Sequence, residues 1–419
     1  MKILAVSKLS VNALIGNKTR TLLTVLGMVI GIAAVIIVFS AGEGIKSLIL
    51  GQVESFGTDI IQTEPRLPSN KPTAAKNAQY SQAIAQGVQV VSLKLTDMDK
   101  INRLPNIKGS YASLTGQALV SYQAEAKKAI LYGVSPYFIN VGTFQLSSGR
   151  FYEEEEDKSL AQVVVLGSGI KTKLFGDSEA VGKMIQVKKE KYEVVGVMKE
   201  RGSSGFISFD DFVYIPTRTM QKRILGINHV LSITSQLADV SKAESTAEDI
   251  RFTLRESHKI DNPTKDDFRV STVAELMATL GVITGAITLL LLAIVAISLV
   301  VGGIGITNIM YVIVTERTSE IGLRKAVGAK YRDILLQFLI ESVLITLLGG
   351  IIGIIIGVAI SYLIAIVASR ALGLEWKFVV PISGFITALV FSVVFGIVFG
   401  VYPARKAAKL NPIDALRTE

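Results

Sequence analysis

The chain has 419 residues, half of them hydrophobic, with no cysteine, two histidines and a net charge of +9. Its apolar residues gather into uncharged runs at 21–42, 276–315, 342–369 and 378–404; each exceeds the roughly 20 residues that cross a bilayer core, which excludes an ordinary soluble globule. Nucleic-acid binding is excluded by where the charge lies: Lys2, Lys8, Lys18 and Arg20 precede the first run without an acid, the 316–333 connector and the tail after 404 are basic, and 43–275 is nearly neutral.

Short basic segments mark the cytoplasmic side of a membrane protein. Both termini and 316–333 are therefore expected inside the cell, and 43–275 outside. Residues 1–18 mix Ile3, Leu4, Val6, Val11, Leu14 and Ile15 with lysines, the pattern of an amphipathic helix on the inner membrane surface; a plain basic lead-in reads equally well. The span 19–42 is expected to be an uncleaved anchor, since its apolar run is too long for a signal-peptide core.

The inserted part, 43–275, is long enough to fold on its own core, and without cysteine it has no disulfide framework. It reads as mixed α/β, with strands at 59–62, 162–166, 184–188, 192–198 and 212–215. Helices are expected at 96–104 (Thr96 as N-cap), 168–175 and 241–257. A mobile loop is expected over 64–87, which holds Pro65, Pro68 and Pro72. The acidic run 153–157 reads as a solvated turn rather than a metal site.

The run 276–315 would be about 60 Å long as one helix, twice the bilayer core, so part of it is expected to project as a stalk. Gly281, Gly285, Gly302, Gly303 and Gly305 mark close packing or bending within it. The connector 316–333 then reads TERTSEIGLRKAVGAKYRD from Thr315. As a helix it places Glu316 and Glu320 on one face with Arg324, the Glu320–Arg324 pair having favourable i,i+4 polarity, and Gly328 offers a stop.

Glu341 falls about 12 Å into the third span, 334–369, by helix rise. An intramembrane carboxylate is a functional candidate by default; here an ion pair with a connector base such as Arg324 is expected. Gly349, Gly353, Gly357 and Ser361 recur every four residues, a helix-packing stripe that serves either one subunit or a dimer. The fourth span, 378–404, starts near Pro381 and is expected to stop at Tyr402-Pro403.

Nothing forms a catalytic constellation. No G-x-x-x-x-G-K-[ST] loop occurs: the partial look-alike at 167–172 lacks the motif's first glycine. His229 and His258 have no cysteine companions, which disfavours zinc, and no G-x-S-x-G elbow is present.

The connector ERTSEIGLRKAVGA (316–329) resembles the cytosolic coupling segment of MacB/FtsX-type ABC transporter permeases. YGVSPYF (132–138) with SGRF (148–151), then VVVLG (163–167), LFGD (174–177), VGK (181–183) and YEVVGV (192–197), resemble the external core domain of MacB-type members. YPARKAA (402–408) resembles the family's C-terminal tail. The resemblance implies an α-helical membrane protein with four transmembrane helices and a large mixed α/β extracytoplasmic domain, of two subdomains, inserted between helices 1 and 2. It further implies a plasma (inner) membrane permease subunit without a cofactor of its own, a homodimer served by a separate ABC ATPase that binds ATP and magnesium. Glu316, Arg317, Glu320, Ile321, Arg324 and Lys325 would dock that ATPase, and the tail would add a second contact. Efflux of drugs, peptides or lipid-linked molecules is the implied role, with an external adaptor protein and membrane lipids as further partners. The alternative is an FtsX-like mechanical relay that controls a cell-wall hydrolase and transports nothing.

Overall fold

The computed structural model describes residues 18–66, 91–201, 203–204, 207–372 and 376–417. The expected amphipathic segment 1–18 and most of the expected loop 64–87 lie outside them. Two compact units result: one formed by the described residues within Leu48–Leu280, the other by the described residues 18–47, 281–372 and 376–417.

The first unit is built on a ten-stranded mixed sheet. Its elements in chain order begin in the second half of helix α1 (Lys18–Phe56), followed by β1 (Ile60–Pro65), α2 (Leu95–Ile101), β2 (Ile107–Tyr122), β3 (Glu125–Val134), β4 (Leu146–Gly149) and α3 (Glu154–Lys158). Then come β5 (Val163–Leu166), α4 (Ser168–Phe175), β6 (Met184–Val187), β7 (Glu190–Met198), the short pair β8 (Ser203–Ser204) and β9 (Ile207–Ser208), β10 (Phe212–Pro216), β11 (Ser232–Leu237), α5 (Ala243–His258) and β12 (Phe268–Thr272). The strand order is β12-β1-β11-β2-β3-β10-β5-β7-β4, with β6 bridging β2 and β7, so β12 lies at one edge.

Side chains alternate between the faces of a strand, and that alternation sorts the core into two clusters. One face carries Ile61, Leu114, Leu131, Val164, Val194, Val213 and Ile233, covered by Met98 and Ile101 of α2, Leu174 of α4 and Ile250 and Leu254 of α5. The other carries Ile60, Tyr111, Val134, Val165, Val195 and Tyr214, packed with Phe138, Phe144, Phe151 and Phe209 from loops. The aromatic cluster is built around Phe138, which is fully buried and meets Tyr111 edge-on at 5.2 Å.

Local chemistry corrects two expectations. Helix α2 starts one residue before Thr96: the Asp97 carboxylate accepts from Lys94 N at 2.9 Å and caps the first turn instead. The acidic run is a turn of helix, exposed over Glu153, Glu154 and Glu155 as expected but not solvated to its end. Its Asp157 is buried, accepts from Arg218 N at 2.8 Å, and is pushed by burial up to about 6.

His258 closes α5 onto its neighbours. Its Nδ1 meets Asp267 Oδ1 at 2.7 Å and its Nε2 meets Asp97 Oδ2 at 3.2 Å. The two carboxylates flank opposite sides of the ring and hold its pKa up at about 9, Asp267 contributing most. An imidazole used at both nitrogens in this way bridges carboxylates rather than converging with them on a metal ion.

The second unit contains the four helices long and apolar enough to cross a membrane. They are α1, whose apolar part is Leu26–Gly51, α6 (Val273–Glu316), α8 (Tyr331–Leu372) and α9 (Ile382–Lys409). Between α6 and α8 lies the short helix α7 (Thr318–Ala326), and α10 (Pro412–Arg417) ends the described chain. Helix α6 is continuous over 44 residues and belongs to the α/β unit as far as Leu280.

Glycines let the four helices cross closely. A Cβ on Gly27 would stand 2.8 Å from Gly302 Cα, so α1 and α6 touch backbone to backbone. Cβ atoms on Gly353 and Gly357 would clash with the α1 carbonyls of Val29 and Ala33, placing that stripe between α8 and α1 of one subunit. Gly349 and Ser361 on the same stripe are also buried. Gly281 and Gly285, in contrast, have nothing within 4 Å of a Cβ and are not packing sites here.

The fourth span does not stop at Pro403, which lies inside α9. Proline has no N–H to offer the carbonyl four residues earlier, here that of Phe399. The Thr307 hydroxyl of α6 stands 3.0 Å from Phe399 O and 3.3 Å from its own helix's Gly303 O, so it supplies the missing donor from a neighbouring helix.

Two outcomes follow from this architecture. A histidine raised from about 6.5 to about 9 adds stability that is complete below the lower value and disappears as pH rises through the upper one. The thermal midpoint should therefore fall between pH 7 and 10, and His258→Gln should lower it at pH 7 and flatten that slope. In the bundle, Thr307→Val should cost on the order of 1 kcal/mol in detergent unfolding. The same change should cost clearly less in a Pro403→Ala background, where the restored backbone N–H at position 403 can reach Phe399 O.

Candidate functional site

Helix α6 ends at Glu316, and Arg317 leaves helical geometry with φ −101 and ψ 17. Thr318 restarts the chain as α7, its hydroxyl donating to the carbonyls of Val314 or Thr315 at 3.0 and 2.9 Å. Gly328 then takes φ +102, a backbone region that side chains resist, so the expected stop falls there. The chain enters α8 through Lys330, whose N–H meets Asp333 Oδ2 at 3.0 Å.

The six connector residues divide between two sides of α7. Ile321, expected at a docking surface, is 2% exposed and packs in the bundle core with Ile334, Phe338 and Ala404. Its apolar side chain and position opposite Leu323 explain that placement. Lys325 also turns inward: its ammonium donates to the carbonyls of Ala408 and Leu410 at 2.6 and 2.7 Å. It thereby caps the C-terminus of α9, where carbonyls lack helical donors and the helix dipole favours a cation. Arg324 binds Gln337 Oε1 of α8 at 2.7 Å and Glu320 within its own helix.

Glu341 is 1% exposed, and Arg317 Nη1 stands 3.6 Å from its Oε1. The expected partner Arg324 is engaged elsewhere, because the break at Arg317 puts that residue, not one about two turns later, beside the third span. Among the described residues no group of His, Asp or Glu is arranged to hold a metal ion.

What remains on the outer side is Glu316, Ser319, Leu323, Ala326 and Val327, of which Leu323 and Val327 are the large apolar ones. These two are 58% and 83% exposed and four residues apart, an apolar pair one turn long. Sequence reasoning missed this pair, although two apolar residues at i,i+4 opposite Ile321 carry the signal. The tail lies alongside: Ala415 of α10 is buried while Ile413 is 73% exposed. Lys406 donates to the Tyr311 hydroxyl at 2.8 Å and holds the end of α9 to α6.

Four membrane-crossing helices, an α/β domain inserted between the first two, and a braced connector helix with an outward apolar pair define a multi-pass membrane protein of permease type. The chain belongs to the MacB/FtsX-type permease family: residues 21–252 match the MacB-like periplasmic core domain and residues 292–412 the FtsX-like permease C-terminal region. It is 36% identical over 408 residues to the macrolide export ATP-binding/permease protein MacB of Bdellovibrio bacteriovorus, covering 97% of this chain and 60% of that protein. The protein of the same name from Wolinella succinogenes is 35% identical over 417 residues, covering 98% of this chain and 60% of its own length. The chain thus spans about 60% of these curated relatives. The crystal structure of the periplasmic region of MacB from Actinobacillus actinomycetemcomitans aligns with 56% of the chain and 97% of its own, at 19% identity and a TM-score of 0.45.

The Arg317–Glu341 pair gives a direct test of the site's geometry. Removing one partner of a buried pair takes the counter-charge from the other, at a cost of about 3 kcal/mol or more. Arg317→Met should lower stability by roughly that amount in detergent unfolding, and adding Glu341→Gln to the same chain should recover most of it.

Proposed function

We propose that the chain is the membrane subunit of an ATP-driven ABC exporter, with ATP hydrolysis supplied by an ATPase outside these 419 residues. The observation that carries this reading is the two-sided connector helix. Its inner side is tied to its neighbours by Arg317 to Glu341, Arg324 to Gln337 and Lys325 to the end of α9. Its outer side offers Leu323 and Val327 within a charged surround. A surface of this kind suits a soluble partner, since apolar anchors within a polar rim carry most of the binding energy at interfaces.

On this reading the ATPase docks on Leu323 and Val327, with Glu316 and Glu320 at the rim and α10 as a second contact. The ties on the inner side make α7 move with the spans rather than independently of them. Two copies of the chain work with two ATPases in the plasma membrane, with both termini cytoplasmic and the α/β domain outside. The relatives' name supports export of drug-like molecules as the transported class; peptides and lipid-linked molecules share the amphipathic chemistry. An external adaptor would engage the α/β domain.

The deciding experiment is co-purification with a co-expressed ABC ATPase. Leu323→Asp with Val327→Asp should lose the ATPase and its permease-stimulated hydrolysis, with unchanged thermal stability, because neither side chain is buried. Undiminished association of that variant would sink the docking assignment.

A further inference from the structure

Beside the edge strand β12, the α/β domain holds an open cavity of about 460 Å³ whose lining includes Arg66, Arg251, Arg255, Asp266, Arg269 and Glu275. Four arginines thus face two carboxylates, and both carboxylates are already committed. Asp266 takes a two-point bond from Arg255, 2.9 Å at Nε and 2.7 Å at Nη2. Glu275 meets Arg251 Nη2 at 3.2 Å, while the same guanidinium also bonds Glu248 at 2.7 Å and the edge carbonyl of Val270 at 3.0 Å.

Arg66 and Arg269 are left over. Among the described residues neither has a carboxylate within ion-pair distance, and Arg66 Nη2 is buried without a hydrogen-bond partner. The backbone of Arg66 is fixed, its N–H donating to Asp267 O at 2.7 Å. Burial, and then the neighbouring charge of Arg269, push the Arg66 pKa down, and the nearby Asp266 carboxylate offsets only part of this, so the two guanidiniums repel each other. Glu64 stands in register opposite Arg269, yet its carboxylate accepts from Gln62 Nε2 at 2.9 Å instead. Nor can the adjoining chain supply a counter-ion: residues 67–90 contain Lys71 and Lys76 and no aspartate or glutamate.

We propose that this cavity is a binding site for a phosphate-type oxyanion, clamped between Arg66 and Arg269. Guanidinium groups present paired N–H donors that match oxyanion geometry, and a partly desolvated charge without a partner is costly until one arrives. The volume exceeds that of a bare phosphate, so the anion can carry a substituent. A phospholipid head group and a soluble phosphate compound share this chemistry. The site does not depend on docking of an ATPase.

The test uses the full chain in maltoside micelles, which contain no phosphate. Inorganic phosphate, titrated at constant ionic strength, should raise the thermal midpoint of the wild type. Arg66→Gln and Arg269→Gln should each weaken the apparent affinity by about tenfold or more. Without phosphate, each variant should be at least as stable as wild type, because the mutual repulsion is gone. A wild-type-specific rise on adding phosphatidylglycerol to the micelles, with no response to inorganic phosphate, would support the site with a lipid head group as its occupant. The proposal is overturned if neither probe raises the midpoint, or if wild type and variants respond alike. A loss of stability in both variants without phosphate would also overturn it, by showing that the guanidiniums already have structural partners.

Discussion

Inside an apolar helix bundle there is no water to complete a hydrogen bond, so polar atoms left there depend on partners in their own helix or in a neighbouring one. Most of the distinctive geometry of the membrane unit answers to that constraint. Pro403 withholds a donor from Phe399 O, and Thr307 stands where it can supply one. The last carbonyls of α9 and of the residue after it would be orphaned, and the Lys325 ammonium donates to them. Ser342 of α8 donates across to Gly396 O of α9 at 2.8 Å. The Glu341 carboxylate faces Arg317 at the point where the connector first leaves helical geometry. Each tie joins a different pair of elements, so their sum fixes the end of the bundle at which α7 sits.

Close approach is the second half of the same device. Between helices, lipid offers no hydrophobic driving force, and packing supplies the attraction. Gly27 against Gly302, Gly353 and Gly357 against α1, and Gly396 and Gly400 against Val343 and Ser342 bring backbones near enough for side chains as short as serine and threonine to span the gap. A methyl group at Gly400 would collide with the Ser342 hydroxyl at 2.0 Å, the same side chain that bonds Gly396. Small residues and short hydroxyls therefore work together: the first bring the helices close, and the second bond across the gap that remains.

Much of this plan was legible in the sequence because hydropathy and charge are local properties. Four uncharged runs correspond to four helices, and ordered motifs point to the family. The positions 349, 353, 357 and 361 could be recognised as a packing stripe, but their partner on α1 could not, since spacing on one helix says nothing of the helix opposite. In the α/β domain, β5, β6, β7 and β10 were found from β-rich runs. The long hairpin β2–β3 was missed, because Lys, Gln and Ser on its exposed face interrupt the apolar pattern from Leu119 to Lys128. Thr96 and Pro403 misled for a common reason: each has a local preference that a specific partner, Asp97 in one case and Thr307 in the other, outweighed.

The connector shows where a motif stops informing. Its fourteen-residue signature resembles a coupling segment as a block, and a block cannot say which residues face which way. Helical periodicity can. With Ile321 buried, residues two positions on and six positions on lie on the opposite side, which selects Leu323 and Val327 as exposed and leaves Lys325 and Arg324 flanking the buried stripe. The charged residues that attract attention in the sequence are thus mostly engaged in holding α7 in place. Long basic side chains reach across a helix boundary to carbonyls and carboxylates, whereas a branched aliphatic at the surface has no such use within the chain. Exposed Leu323 and Val327 reduce solubility without adding to the fold, and that imbalance is the physical reason to look for a partner at those two residues rather than at the charges beside them.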